Sequence, residues 1–352
     1  MEEELNQITE TIDRIVERSG ATDQHAGRDG RVDEAALALI EEAGLRRVAV
    51  SDPAGGWVAE LPYLAVILKR MGFHAVKLPL LEDHLAAEVL AGSGADVPSG
   101  LLTASSRGDL VVTQDGSNYR ANGTCRHVPW SRSASHVVAL ARSADGPLLV
   151  ALPVNEASVT AGENVAGEPR DHLTFDSVAA LAVIADAATA QDFRSRLLLY
   201  RSLAMLGAGE RALDLTVTHV TDRSQFGSPL LKKQVVQHYI AEMFGALTAV
   251  RAACEAAVNA IADAPGAAAL AAALATRIES DRMASTIARL SHQLHGAIGF
   301  TQEHQLHLFT TRLTAWRQDD LSETGCALEL ARLVLEFGGP WNMMTASRSA
   351  RA

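Results

Sequence analysis

Cysteine is nearly missing from this chain. Three occur in 352 residues, Cys125, Cys254 and Cys326, with neither metal-ligand spacing nor a disulfide framework. A reducing, cytoplasmic compartment is therefore expected. No uninterrupted apolar run approaches the ~20 residues that cross a bilayer, so no membrane partner is expected. Positive charge is also short: 31 Lys and Arg against 42 Asp and Glu leave a net charge of −11. That balance disfavours a nucleic-acid or anionic-membrane surface. The start, Met1-Glu2-Glu3-Glu4-Leu5, is acidic where a signal peptide would be basic and then apolar. Internal repeats and low-complexity linkers are absent. What is plentiful is apolar residue, 48% of the chain, enough for a large core in one to three domains.

The first hundred residues read as helices. Leu5, Ile8, Ile12 and Ile15 form one stripe, and Asp33 is placed to cap a helix that stops near Gly44. A break, Asp52-Pro53-Ala54-Gly55-Gly56, precedes a helix carrying Leu61, Leu64, Val66 and Ile67. From about Gly100 the period changes. Residues 110–113, 119–128, 136–141 and 147–153 are short β-rich runs separated by Asp115-Gly116-Ser117-Asn118, Ser131-Arg132-Ser133 and Ala144-Asp145-Gly146. Helical patterns return over 179–189, 192–220, 229–263, 266–295, 302–318 and 322–338. Gly338-Gly339-Pro340 closes the last, and Ser347 to Ala352 reads as a frayed tail. The expected class is α+β, mostly α. An N-terminal helical domain (1–97) precedes a small antiparallel β-barrel or sandwich (98–178) and a C-terminal four-helix bundle (179–352).

One corner concentrates chemistry. A helix with Leu199, Leu203, Leu206, Leu213, Val217 and Val220 on one stripe runs into Arg223-Ser224-Gln225-Phe226-Gly227. Gly207 and Gly209 interrupt the stripe and suggest close approach of a neighbouring backbone. Ser228-Pro229 would then cap and open a second helix. Arg223 offers a planar fork to a phosphate, and Phe226 a face to a flat ring; a surface Arg and a core Phe are the plainer alternative.

Three motifs then occur in register: Arg223-x-x-Phe226-Gly227, a helix containing Ala241-Glu242-Met243, and Gln293-Leu294-His295-Gly296-Ala297-Ile298-Gly299-Phe300. Together they resemble the C-terminal domain of the acyl-CoA dehydrogenases, with R-x-x-F-G, A-[DE]-M and Q-x-x-G-G-x-G-[FY]. In the middle region, Asn118 to Thr124 and Ala134 to Ala141 resemble that family's strands. The resemblance implies FAD as cofactor, an acyl-CoA substrate and an electron-transfer flavoprotein-type acceptor. It also implies that the corner reaches FAD held by a neighbouring subunit. Carried over by position, the contacts are Arg223, Phe226, Gln293 and Gly296, with Leu230, Lys233 and Val236 as secondary ones. Ala297 stands where a second Gly is usual.

The departures cluster. Where active members carry T-E-P-x-x-G-S-D, this chain has Leu101-Leu102-Thr103-Ala104-Ser105-Ser106-Arg107-Gly108-Asp109. In their W-I-T-N segment, His127 takes the aromatic position and Pro129, with neither hydroxyl nor N–H, the Thr position; Trp130 is one residue away. The family's base Glu stands about nine residues past the basic position of Arg312, or about 29 before the Phe of the corner. Those counts land on Leu321 and Leu197. Asp319, Asp320, Glu323 and Asp192 lie nearby, the first two also suited to capping the last helix. His292, His295, His304 and His307 fall on different sides of a helix–turn–helix without a carboxylate or thiolate to complete a set, so no metal is expected.

Kept FAD contacts and a missing base resemble one group, the two-subunit acyl-CoA dehydrogenases of actinobacterial steroid side-chain degradation. This implies a subunit of a heterotetramer, inactive alone, that lends FAD contacts to a catalytic partner. A self-sufficient homotetramer and a flavin-free interaction scaffold are the alternatives.

Overall fold

The computed structural model describes residues 2–19, 30–50, 60–115, 118–184, 186–225, 227–263 and 266–343. The Asp52–Gly56 break, Gly116-Ser117, Phe226 and the Ser347–Ala352 tail lie outside the described residues. Four helices come first: α1 (Glu2–Ser19), α2 (Glu34–Glu42), α3 (Leu61–Phe73) and α4 (Leu80–Gly92). Asp33 caps α2 as expected, accepting from the amides of Ala35 and Ala36, each at 3.0 Å. α4 is buried nearly all round, charged groups included. Its Asp83 has no exposed side-chain surface and takes Arg46 Nε at 2.9 Å, Arg47 Nη2 at 2.8 Å and the Leu102 amide at 2.7 Å. A buried carboxylate is tolerated when it is paired and fully hydrogen-bonded. This one ties the helical layer to the first strand.

Eight strands follow: β1 (Leu102–Ser105), β2 (Val111–Asp115), β3 (Asn118–Pro129), β4 (His136–Ser143), β5 (Gly146–Pro153), β6 (Ser158–Thr160), β7 (Arg170–Ala179) and β8 (Ala182–Ile184). The order is β6-β7-β3-β2-β4-β5-β8, with β1 on β4. The sheet is mainly antiparallel, but β1 and β2 both meet β4 in parallel. Residues 179–189, expected as a helix, instead complete β7, form β8 and begin the next helix.

Strands β1, β4 and β5 bury both faces, whereas β3 and β7 leave one face exposed and β6 is exposed throughout. In β4 and β5, Val137, Ala139, Leu148, Val150 and Leu152 join the sheet's own core. The alternate residues Val138, Leu149 and Ala151 join the core shared with the helices. With a strand covered on both sides, alternation disappears and the run reads as continuously apolar. β3 and β7 change register between Cys125 and Val128, and His127 and Trp130 there take positive φ of 55° and 51°.

The C-terminal part begins with α5 (Ala187–Asp222), a single helix of 36 residues. A two-residue hairpin, β9 (Ser224–Gln225) with β10 (Ser228–Pro229), precedes α6 (Gln234–Asp263), α7 (Ala267–His295), α8 (Leu306–Trp316) and α9 (Glu323–Glu336). So Ser228 and Pro229 do not open the second helix; they close the hairpin, and α6 starts five residues later. α9 is capped by Ser322, which accepts from the Gly325 amide at 3.3 Å, rather than by Asp319 or Asp320. Among the described residues, α6 alone is long and apolar enough to invite comparison with a membrane span. Its Met243, Leu247, Val250 and Cys254 are buried in the core.

Gly207 marks the closest approach of α3 and α5. A Cβ there would sit 1.8 Å from the Lys69 carbonyl oxygen, and one on Gly72 would sit 1.9 Å from that of Ala204. Gly209, by contrast, faces the side chains of Met283 and Leu247 rather than a backbone. Backbone cannot yield as a side chain tip does. Gly207→Ala should therefore cost about 2–3 kcal/mol of stability, the upper part of the overpacking range, seen as a lower urea midpoint. A midpoint unchanged by the substitution would show that the two helices separate freely.

Candidate functional site

The corner is built by the end of α5, the hairpin and the start of α6, facing the end of α7. The hairpin closes through the Leu230 amide, which donates to the Arg223 carbonyl at 2.8 Å. The Lys233 carbonyl accepts from the Val236 and Gln237 amides and so starts α6. At the far wall, α7 ends at Gly296 with φ of 64° and ψ of −144°, a positive-φ backbone that glycine adopts without strain.

Arg223, Leu230, Val236, Gln293 and Gly296 come together around one open cavity of about 620 Å³, with His219, Tyr239 and His295 also on its wall. Lys233 lies on the turn beside it without lining it, and Phe226 is outside the described residues. Gln293 and Gly296 form a ridge shared with a second cavity of about 820 Å³, bounded by His292, Phe300, His307 and Thr310. Both volumes suit a drug- or cofactor-sized ligand, for which roughly 300–1,000 Å³ is usual.

The departures converge elsewhere, at the junction of the sheet, α4, α5 and α8. The segment 101–109 reaches His127–Trp130 through Thr103 Oγ1, which donates to the Pro129 carbonyl at 2.6 Å. It reaches the turn before α9 through Arg107 Nη1, which donates to the Gln318 carbonyl at 2.8 Å. Ser106 and Gly108 line a separate open cavity of about 500 Å³ on the side of α9, while next to Trp130 a cavity of about 40 Å³ is walled by Trp130, Trp316, Met71, Arg170 and Arg201. A water molecule occupies ~30 Å³, so the space takes about one water and no ring.

The rest is filled by ion pairs. Arg170 Nη2 meets Asp319 at 2.7 Å and Glu168 at 3.0 Å. Arg312 Nε meets Glu168 at 3.0 Å, and Trp316 Nε1 donates to the same carboxylate at 2.8 Å. Arg201 bridges Glu82 at 2.7 Å and Asp320 at 3.2 Å. Arg277 pairs with Asp281 at 3.0 Å and donates to the carbonyls of Trp316 and Asp319.

Every acid near the two base positions is engaged. Asp319 and Asp320 belong to the network just described. Asp192 pairs with Arg196 one turn away at 2.7 Å, and Glu323 with Arg282 at 3.3 Å. Leu197 is buried in the main core, and Leu321 packs beside Leu198, Leu274 and Cys326. Burial pushes the Glu168 carboxyl up, but Arg170 and Arg312 outweigh it and hold it below its ordinary 4.5. Asp319 is held below 3.8 in the same way, chiefly by Arg170 and Arg201 against burial. A base at working pH needs a raised carboxylate; these are lowered.

The composition of this network was not legible in the sequence. The bonded pairs of Glu168, Arg170 and Arg201 with Trp316, Asp319 and Asp320 are 119 to 149 residues apart, and no local pattern joins them. The expectation of no metal set also changes: His295 and His304 are joined by His219 from α5.

The acyl-CoA dehydrogenase C-terminal domain model matches residues 195–317. Acyl-CoA dehydrogenase IpdE2 of Mycobacterium tuberculosis is 27% identical, over 88% of this chain and 91% of that protein. Its namesake from Mycolicibacterium smegmatis is 26% identical over 89% and 93%. Residues 195–317 thus carry the acyl-CoA dehydrogenase C-terminal domain, and the chain is similar to acyl-CoA dehydrogenases over most of its length. Among solved structures, a variant of the Tcur3481–Tcur3483 steroid acyl-CoA dehydrogenase superposes with a TM-score of 0.87 at 24% identity, over 95% of this chain and 98% of that one. The ChsE4–ChsE5 complex of Mycobacterium tuberculosis gives 0.82 at 20%, over 94% and 97%. These likenesses establish the mostly helical fold with its small sheet. The family's members are flavin-dependent oxidoreductases.

Removing one partner from the junction leaves a buried charge unpaired, which typically costs about 3–5 kcal/mol. Asp319→Ala should lose that much stability in urea unfolding. The lowered carboxyls of Glu168 and Asp319 add stability above their unfolded values of about 4.5 and 3.8, and lose it as pH falls through the folded values. Glu168→Gln should flatten this acid limb. An unaltered acid limb in that variant would show that the network does not carry it.

Proposed function

We propose that this chain is the partner subunit of a heteromeric, FAD-dependent acyl-CoA dehydrogenase, lending flavin contacts to a catalytic subunit. One contrast carries the reading: the corner is open and polar, while the junction where a base would act is closed and neutralised. The substrate class we propose is a bulky acyl-CoA of the steroid side-chain type, by analogy with the steroid acyl-CoA dehydrogenase whose fold this chain shares. The other inferred partner is an electron-transfer flavoprotein-type acceptor, and the location is cytoplasmic.

When bound, FAD supplies the hydride acceptor for α,β-dehydrogenation. This chain's share is binding and orientation. Arg223 stands at the end of α5 with its guanidinium exposed, suited to a pyrophosphate of the neighbouring subunit's cofactor. Gln293 and Gly296 offer an amide side chain and a bare backbone on the facing wall, where a ligand can approach closely. Leu230 and Val236 give the apolar floor, with Lys233 on the adjoining turn; Phe226 is carried over from the resemblance alone. No residue of this chain is assigned the α-proton.

Two measurements test this. Purified alone, the chain should hold little FAD; assembled with its partner, the complex should hold about half an equivalent per chain. A chain that is fully flavinated by itself would favour a self-sufficient homotetramer, and one colourless in every assembly a scaffold. Arg223→Ala should weaken FAD in the assembled complex roughly 10- to 150-fold, the worth of a hydrogen bond to a charged group at 1.5–3 kcal/mol. Arg223→Lys should recover part of this, keeping the charge without the fork. Unchanged affinity in an intact Arg223→Ala complex would make the corner structural.

The base assignment has its own check. Glu323→Ala should leave turnover of the complex within a few-fold, whereas loss of a true base costs ~10² or more. A hundredfold fall at constant FAD content would identify Glu323 as the base.

A further inference from the structure

Three stretches of chain bring three imidazoles together at the edge of the corner cavity: His219 near the end of α5, His295 at the end of α7 and His304 before α8. One nitrogen from each lies within 4.8 Å of the other two. Ring centroids are 4.4 Å apart for His219 and His295, and 4.6 Å for His295 and His304. No acid or thiol joins the set among the described residues.

His295 is the informative member. It is 6% exposed, and its Nδ1 donates to the Ser291 carbonyl at 2.8 Å. That bond leaves the lone pair on Nε2, and Nε2 is buried with no hydrogen-bond partner. An unmet buried acceptor is costly, so the atom calls for a proton, a donor or a cation. A ring N–H held by a backbone carbonyl, with the other nitrogen left bare, is how proteins set a histidine for metal ligation. A proton is the poorer occupant: burial, with His219 and His304 adding to it, lowers His295 to about 4. Burial lowers the other two rings as well.

We propose that His219, His295 and His304 form a binding site for one divalent transition-metal ion of the zinc type. Three neutral imidazoles suit zinc, copper, nickel or cobalt, and without oxygen ligands they offer little to calcium or magnesium. A fourth position is left for water or an anion from the cavity that Arg223 lines.

The geometry sets a modest affinity. His219 and His295 are stacked at 22°, so their in-plane lone pairs do not yet converge and the half-buried His219 ring has to turn. His304 Nδ1 accepts from the Leu306 amide at 3.1 Å. Ligation through its other nitrogen moves the ring proton to Nδ1 and breaks that bond. Binding in the micromolar range is expected, looser than a preformed structural site.

The site is tested on the full chain without a polyhistidine tag and without flavin, so its outcome is separate from that of the flavin reading. Zinc is titrated in competition with a chromophoric chelator, and cobalt is added as a spectroscopic probe. One zinc per chain is expected. His295→Ala and His304→Ala should each weaken it tenfold or more and abolish the visible d–d bands of bound cobalt. Since a buried ring also supports packing, His219→Ala carries the test where His295→Ala loses its native circular dichroism. Zinc held no more tightly by the wild type than by folded His219→Ala and His304→Ala, or wild-type cobalt spectra without d–d bands, would overturn the site.

Discussion

The pairing of Arg170 with Asp319 is the interaction on which the arrangement rests. Arg170 begins the last long strand of the sheet, and Asp319 stands in the turn between α8 and α9. Their guanidinium and carboxylate meet through three contacts, at 2.7, 3.1 and 3.2 Å, with almost no exposed surface. Charges so placed are expensive to bury, and geometry must repay the cost. Here the repayment is shared. Glu168 takes the other edge of Arg170, Arg312 and the Trp316 indole complete Glu168, and Arg201 and Arg277 hold the adjoining Asp320 and turn. Sheet and helices are thereby held at a fixed distance at this junction, where the gap beside Trp130 and Trp316 leaves little space.

Closure of that gap and openness of the corner are two sides of one design. A bed that had to admit a ring could not contain Trp130, Trp316 and the arginines, and on the function proposed above the corner stays open because its ligand comes from another chain. The left-handed backbone at His127 and Trp130 places the tryptophan in the gap. Pro129 supports it with a carbonyl that Thr103 satisfies. What looked like the loss of flavin contacts in that segment is therefore also a gain of packing.

Local features were legible in the sequence and distant ones were not. The Asp33 cap, the strands near 119–128 and 147–153 and the close approach at Gly207 follow from rules that operate within a few residues. That Arg223, Leu230, Val236, Gln293 and Gly296 would face one cavity came from a resemblance, since no local rule joins the end of α5 to the end of α7. The start of α6 was misread because Ser228-Pro229 satisfies helix-opening chemistry and hairpin chemistry equally well, and the Leu230–Arg223 bond decides between them. The segment 179–189 was misread because small apolar residues suit a short strand and a helix alike. His219 was missed since it lies 76 residues from His295, and only the packing of α5 on α7 joins them. The ion network was missed for the same reason.

The network also makes the junction hard to reopen by small steps. Each of its arginines serves more than one acceptor, so any single substitution that frees space strands a charge where no water can reach it. Restoring an open bed would require several simultaneous exchanges, with each intermediate less stable than either end. Such a landscape acts as a ratchet: once the junction is filled with mutually dependent charges, each pair protects the others from exchange.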